Sequence, residues 1–353
     1  MIRFKKTSKR QDFIASLLEG SAGFPISRIT EEVTKNIEKI SKITINRDLE
    51  KLIKLGFIKR EGKGRAVLYR LSEHYNLVRK IDIENYFKIE ADKRIAKERF
   101  NFQIFSFLHN IFTVEEKIWL ENLNREYLNN VSRLSETIRK KEMERLIIEF
   151  SWKSSRIEGN TYTLLETEAL IKESKEAAGH KREEAVMILD HKKALDFIFK
   201  NQEEFKTLSV NKIERIHSII TKDLNIPKNI RRSIVGVTGT KYKPLNNEWQ
   251  IKEVLAKTCE LINKEKNVFA KSTIASIMIA YIQPFEDGNK RTARILSNAI
   301  LLVGGNCLLS YRSADEAEYK KAVLLFFEQN NVSYFKELFM EQYEFAVKNY
   351  FHD

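Results

Sequence analysis

Almost from end to end, apolar residues recur in this chain every three or four positions, with short polar breaks between the runs. That spacing places one face of a helix against a core. Over Lys9–Leu18 the shared face is Phe13, Ile14, Leu17 and Leu18, and Gly20–Gly23 breaks the run. A second short helix is predicted over Ile26–Val33. A third runs from Ser41 to Leu55 with a buried stripe of Ile45, Leu49, Leu52 and Ile53, and Gly56 stops it as a C-terminal glycine does. Phe57–Lys59 and Val67–Leu71 read as two strands around the basic turn Glu61–Gly64. Residues 76–145 contain neither Pro nor Gly and read as helical, with Phe87, Ile95, Phe100, Ile104 and Phe105 as core. Further on, an apolar helix over Thr273–Ile282 meets a turn, Gln283–Asn289, and another helix starts near Lys290. Pro284 and Gly288 enforce that turn.

Composition agrees with a mainly α chain of two or three domains. Of 353 residues, 42% are hydrophobic and only 4 are Pro and 12 Gly, which suits long helices and argues against disorder. The divisions expected are 1–75, a connector at 76–145, and a helical domain at 146–353. No run reaches the ~18 apolar residues of a membrane span. The start MIRFKKTSKR lacks an apolar signal core. Cys259 and Cys307 sit in apolar helical surroundings with no metal-ligand spacing, and read as reduced core thiols of a cytoplasmic protein. The low-proline, Lys/Ile/Asn-rich composition has a bacterial cast.

Charge changes the picture at one end. The formal net charge is +13, and residues 1–70 hold 17 Lys/Arg against 8 Asp/Glu, so the first fifth carries most of the excess. Three helices followed by a hairpin with a basic tip is the order of a winged helix-turn-helix. The stretch SKITINRDLEKLIKLGFIKREGKGRAVLYRL resembles the recognition helix and wing of DeoR-like bacterial regulators. Lys42, Thr44, Asn46 and Arg47, near the start of the third helix and off its apolar stripe, can face base edges in a major groove. Lys59, Arg60, Lys63 and Arg65 can neutralise phosphates. Double-stranded DNA is the partner this implies; a winged helix used for protein contacts or homodimerisation is the alternative.

The candidate chemistry lies in the turn between the two later helices. A loop ending at a helix N-terminus presents unpaired N–H groups and the positive end of the dipole, which together form an anion site. Asn289 adds an amide, Arg291 and Arg294 can reach one phosphate chain, and Asp287 offers an oxygen ligand to magnesium. An ordinary polar helix–helix turn would have the same outline.

Gln283-Pro284-Phe285-Glu286-Asp287-Gly288-Asn289-Lys290-Arg291-Thr292-Ala293-Arg294 resembles the Fic family motif HxFx(D/E)(G/A)N(G/K)RxxR at every defining position but the first, where Gln283 replaces histidine. The resemblance implies an all-helical core with a β-hairpin flap over roughly 145–345. Phe285 would anchor the loop and Asp287 would hold magnesium. Gly288, Asn289, Lys290, Arg291 and Arg294 would hold ATP phosphates, with Tyr319 on the adenine or ribose side. Ser154-Ser155-Arg156-Ile157-Glu158-Gly159 resembles the family's inhibitory (S/T)xxxE(G/N) motif, placing an inhibitory helix near 150–160 in which Ser154, Glu158 and Gly159 are the matching positions. Its glutamate would pair with Arg294 within the chain. Arg231–Pro244 looks like the flap, with Val235, Gly236, Val237 and Thr238 aligning a target segment by strand addition. His217 reads as a packed core histidine.

Family members use the histidine as general base on a protein Ser, Thr or Tyr hydroxyl, which attacks the α-phosphate of ATP; AMP is transferred and pyrophosphate leaves. An amide has no comparable basicity, and loss of a general base costs roughly 10²–10⁴ in rate. The reading is therefore a Mg-ATP-binding protein of the adenylyltransferase lineage, restrained by Glu158 and weak or inactive in transfer. The alternative is a DNA-binding regulator that uses the same domain to sense a nucleotide.

Overall fold

The computed structural model describes residues 7–352. Among them it is mainly helical, with one two-stranded ladder. The N-terminal unit comprises α1 (Lys9–Leu18), α2 (Ile26–Asn36), α3 (Lys42–Lys54), β1 (Ile58–Glu61) and β2 (Leu68–Leu71). Ser8 starts α1 with a capping box completed by Gln11, Ser41 caps α3, and Gly56 follows α3 at φ +73°. The strands pair antiparallel, Ile58 opposite Leu71 and Glu61 opposite Leu68. Ile14, Leu18, Ile29, Val33, Ile45, Leu49 and Leu52 are buried together.

Ile53 departs from the expected stripe and is 38% exposed. Ile45, Leu49 and Leu52 already fill the inward arc at i, i+4 and i+7, and i+8 falls beyond its edge. The inward place on the other side goes to Asp48, which accepts from Gln11 Nε2 (2.7 Å) and pairs with Arg10. This polar tie fixes α1 against α3.

The connector is less helical than its sequence suggests. It holds α4 (Glu73–Val78), α5 (Ile83–Lys88), a single turn α6 (Ile104–Phe107), α7 (Val114–Arg133) and α8 (Glu136–Ile157). Residues 89–103 form no α-helix, and Ile95 is 90% exposed rather than core. Their backbone groups bond other elements instead: Lys97 N donates to Glu328 O (2.8 Å), Lys243 N to Glu98 O (2.9 Å), and Asn101 N to Tyr281 Oη (3.0 Å). Tertiary partners outweigh the local helical preference. Helix α8 runs unbroken across position 145, so the segment near 150–160 is the buried end of a 22-residue helix and the turn after it.

The remaining helices are α9 (Leu164–Glu173), α10 (Arg182–Lys200), α11 (Val210–Ile220), α12 (Glu248–Lys264), α13 (Val268–Ile282), α14 (Asn289–Val303), α15 (Glu316–Gln329) and α16 (Ser333–Asn349). Helix α13 is buried on all sides, as a helix with no polar face must be. It packs along α14, where Ser272 and Ser297 share a hydrogen bond (2.6 Å) and their small side chains let the backbones approach. The hairpin expected within 231–244 has no ladder. Those residues run as loop with a turn at Gly239 (φ +84°), because the backbone at both ends is bonded outward: Arg231 N to Pro284 O (3.0 Å) and Lys243 N to Glu98 O.

Candidate functional site

The site grows from the turn that joins α13 to α14. Gln283 leaves α13 in the left-handed region (φ +50°) and Gly288 enters α14 at φ +80°. A Cβ at Gly288 would also lie 3.3 Å from Thr221 Cγ2 and 3.4 Å from His217 Nε2, so glycine suits both the backbone and the space. Asn289 closes the loop: its Oδ1 accepts from Phe285 N (2.8 Å), and its Nδ2 donates to Phe285 O (2.8 Å) and Gln283 Oε1 (3.0 Å). Phe285 is fully buried and stacks on His217, ring centroids 3.6 Å apart. Burial holds the His217 imidazole below its usual pKa, so the neutral ring donates to one carbonyl at a time; Asp287 O (2.9 Å) is nearer than Lys228 O (3.2 Å).

Gln283 is held on both sides. Its Nε2 donates to Ala280 O (2.6 Å) while its Oε1 accepts from Asn289. The amide completes the turn and offers no proton acceptor of useful basicity.

A cavity of about 490 Å³ opens over this loop. Residues 286–291 and Gln283 form one wall, Ile157 and Glu158 a second, and Gly236, Val237 and Thr238 a third. The fourth is a face of α15, Lys320, Val323, Leu324 and Phe327. No side chain caps the start of α14. Of the loop amides, Gly288 N is taken by Asp287 Oδ1 (2.6 Å).

Glu158, just past the end of α8, has one cation on each carboxylate oxygen. Arg294 Nη2 donates to Oε1 (2.9 Å) and Lys290 Nζ to Oε2 (2.7 Å). Burial alone would raise its pKa; Arg294 and then Lys290 reverse that and hold it at about 2. Arg294 is completely buried. Its Nε and Nη2 also donate to Ser154 Oγ (2.9 Å) and Ser154 O (2.8 Å). Behind Ser154 stands buried His191, whose Nδ1 contacts Met187 O (2.7 Å) and whose Nε2 contacts Ser154 Oγ (2.9 Å). Burial first, then the nearby Arg291, lowers the His191 pKa to about 3. The neutral ring therefore carries its proton on Nδ1, and Ser154 donates to Nε2 while accepting from Arg294. Nη1 of both Arg291 and Arg294 is buried with no hydrogen-bond partner among the described residues.

The structure thus brings together Ser154, Glu158, Gln283, Asp287, Gly288, Asn289, Lys290, Arg291 and Arg294, with Gly236–Thr238 opposite; Val235 does not line the cavity. Tyr319 is corrected: it is 1% exposed, and its ring lies under the Arg294 guanidinium (5.2 Å) rather than at the cavity surface. Asp287 is 70% exposed along its side chain and pairs with Arg291 (3.4 Å). Among the described residues no group of three or more His, Cys, Asp or Glu could hold a metal. One carboxylate fits magnesium only where phosphate oxygens and water complete the shell.

Four contributors had no role assigned from sequence. The α15 face is spaced i, i+3, i+4, i+7, which reads as ordinary core. Arg231, the first residue of the flap-like stretch but given no role there, donates from Nε to Gln283 O (2.7 Å), from Nη1 to Ser233 O (2.7 Å) and from Nη2 to Leu245 O. Glu286 accepts from Ser233 Oγ (2.8 Å), and His191 is a lone histidine on a helix.

On the N-terminal unit, Lys42, Asn46, Arg47 and Lys63 are exposed and Thr44 is half-buried; the Arg65 side chain lies outside the described residues. Ile43, beside Lys42, is 69% exposed.

The Fic/DOC family model matches residues 207–301, a span that holds the whole turn, all of α13 and α14 up to Leu301. Residues 207–301 form a Fic/DOC family domain. The Fic domain's relatives bear names of one activity. Over 103 residues the chain is 31% identical to a probable protein adenylyltransferase of Aquifex aeolicus, covering 29% of this chain and 32% of that protein. Over 184 residues it is 26% identical to the protein adenylyltransferase Fic of Nematostella vectensis, covering 51% and 43%. The chain spans less than half the length of these named relatives. Among solved structures, Fic-1 from C. elegans superposes with a TM-score of 0.56 at 20% identity, over 66% of this chain and 70% of that one. A Fic-domain signaling protein from Bacteroides thetaiotaomicron gives 0.53 at 19%, over 65% and 95%. These likenesses establish the fold.

Proposed function

We propose that this chain binds Mg-ATP in the cavity over the α13–α14 turn, belongs to the protein adenylyltransferase lineage, is restrained by Glu158, and transfers AMP weakly or not at all. The observation that carries this reading is the ion-paired Glu158. It sits in the cavity wall with one oxygen on Arg294 Nη2, while Nη1 of the same guanidinium is buried with no hydrogen-bond partner among the described residues. A carboxylate held there competes with phosphate for the same guanidinium.

Each residue has a task in this scheme. The uncapped first turn of α14, with Lys290 and Arg291, would hold phosphate oxygens. Asp287 would hold a magnesium, which neutralises and polarises the phosphates. Arg294 would take the terminal phosphate once Glu158 withdraws. The segment 236–238 and the α15 face would enclose the nucleoside. An attacking protein hydroxyl must lose its proton, and Gln283, bonded at both ends of its amide, cannot accept one. It can orient a hydroxyl at most, which is why transfer is the weak step.

Calorimetry of Mg-ATP with the wild type and Glu158→Gly tests the site: binding is expected to be tighter in the variant, and no binding in either form overturns the reading. Glu158→Gly combined with Gln283→His is expected to label protein with AMP; an unlabelled double variant overturns the lineage.

A second reading is favoured by the free face of α3, where Lys42, Asn46 and Arg47 are exposed beside the hairpin cations Lys59, Arg60 and Lys63. It makes the chain a DNA-binding regulator whose Fic domain senses nucleotide. Duplex binding that weakens steeply with salt separates this from a protein-docking or dimerising module.

A further inference from the structure

The connector segment that failed to become a helix threads between the loop over the cavity and the end of α15. Arg94, within it, is 5% exposed. Its Nε and Nη2 each donate to Glu328 (2.9 Å to Oε2 and 2.9 Å to Oε1), and Glu328 is completely buried. Tyr86 Oη donates to the same carboxylate (2.7 Å), and the guanidinium lies over the Phe87 ring (5.0 Å). Arg94 Nη1 donates to Ile89 O (3.1 Å), and Nη2 reaches the loop as well, donating to Gly239 O in the turn that ends the cavity wall of residues 236–238. A few residues on, Lys243 N bonds Glu98 O, and Arg99 pairs with Lys243 as a parallel bridge.

At the other end of the same loop, buried Arg231 bonds Gln283 O, Ser233 O and Leu245 O. Residues 234–238, between the two arginine anchors, make no hydrogen bond with the rest of the described chain, and Ile234 is exposed. The loop is a segment whose hydrogen bonds lie at its ends, with Val237 between them packed against the core. One anchor belongs to the nucleotide turn. The other belongs to the connector, which leads to the N-terminal unit.

We propose that Arg94 is a positioning residue: through the Gly239 carbonyl, the seating of the connector against Glu328 sets where residues 236–238 lie over the cavity. A change in how the connector sits, imposed from the N-terminal unit, then alters the nucleoside side of the cavity while leaving the phosphate turn in place. Only the nucleotide arm of the test rests on the function proposed above.

Arg94→Lys is the first variant. An ammonium keeps the charge opposite Glu328, but it lacks the planar fork that spans the carboxylate and the Gly239 carbonyl together. Arg94→Met with Glu328→Gln is the second, since it leaves no unpaired buried charge. Hydrogen exchange is expected to speed up about tenfold at the amides of residues 239–243, with those of α13 and α14 unchanged. In the Glu158→Gly background, Mg-ATP affinity is expected to fall about tenfold while inorganic tripolyphosphate, which meets only the turn, binds as before. Unchanged exchange in both variants overturns the proposal, as does an equal loss for ATP and tripolyphosphate. If Glu158→Gly binds neither probe, the nucleotide reading has failed, and the exchange measurement alone decides the role of Arg94.

Discussion

Glu158, on the cavity side of Arg294, and buried His191, behind Ser154, respond to pH in separate windows. Glu158 titrates at about 2 against a usual value of about 4.3, so its contribution to stability is complete above about pH 4.5 and is lost only as pH falls toward 2. His191 titrates at about 3 against a usual value of about 6.5. The unfolded chain binds that proton and the native one does not, so its contribution is complete above about pH 6.5 and declines as pH falls toward 3. His191→Gln keeps an acceptor for Ser154 but cannot titrate. Between pH 6.5 and 5, the variant's unfolding free energy should fall less steeply than the wild type's, by up to about 1.4 kcal/mol per pH unit. Urea unfolding at several pH values measures this, and parallel curves would show that the ring is not held neutral. At this scale Ser154, Glu158 and Arg294 were legible because each stands in a patterned motif. His191 and Arg231 were not, because a lone histidine or arginine on a helix or loop has many uses, and only folding puts one against Ser154 and the other against Gln283.

Helices with strong local signals were read to within a few residues. α1 has its cap and its breaking glycines, α3 has Ser41 and Gly56, and the α13–α14 turn has Pro284 and Gly288. Segments 89–103 and 231–244 were misread for one shared reason: their backbones bond each other and distant helices, and periodicity along the chain carries no information about such partners. Close packing between elements is also silent in sequence. Gly304, at the end of α14, has an ordinary negative φ, so its role is spatial: a Cβ there would lie 2.6 Å and 2.9 Å from the two methyls of Val268 and 2.8 Å from Asn306 Nδ2. Gly304→Ala should therefore destabilise the fold by about 1–3 kcal/mol through overpacking of α13 against α14. The midpoint of chemical denaturation checks it; an unchanged or higher midpoint would mean that the helices can part at no cost.

At the scale of the molecule, one buried core runs from the N-terminal helices to α16, and polar ties join the halves. Asn331 Nδ2 donates to Asn76 O and Arg79 O (2.8 Å each), and Val332 N to Leu77 O (2.7 Å). The N-terminal excess of positive charge is thus carried on a body attached to the Fic domain, and no described helix is long and apolar enough to cross a membrane. If that body binds DNA, affinity for duplex falls as salt rises, with a slope that reports how many phosphates it neutralises. Neutralising Lys42, Arg47, Lys63 and Arg65 together should make that slope shallower by about one unit for each phosphate that no longer faces a cation. An affinity indifferent to the four substitutions would move the N-terminal unit to protein contacts.

By itself the sequence determined the helical class, the turn at Gln283–Arg294 with a glutamine at its head, and the carboxylate matched to Arg294, because each of these is local chemistry in a fixed order. Tertiary structure alone decided that Tyr319 supports Arg294 from below, that α15 forms a wall of the cavity, and that the connector holds the loop above it. These depend on which surfaces meet when long helices pack, and that is settled by the summed burial and hydrogen bonding of the whole chain rather than by any stretch of it.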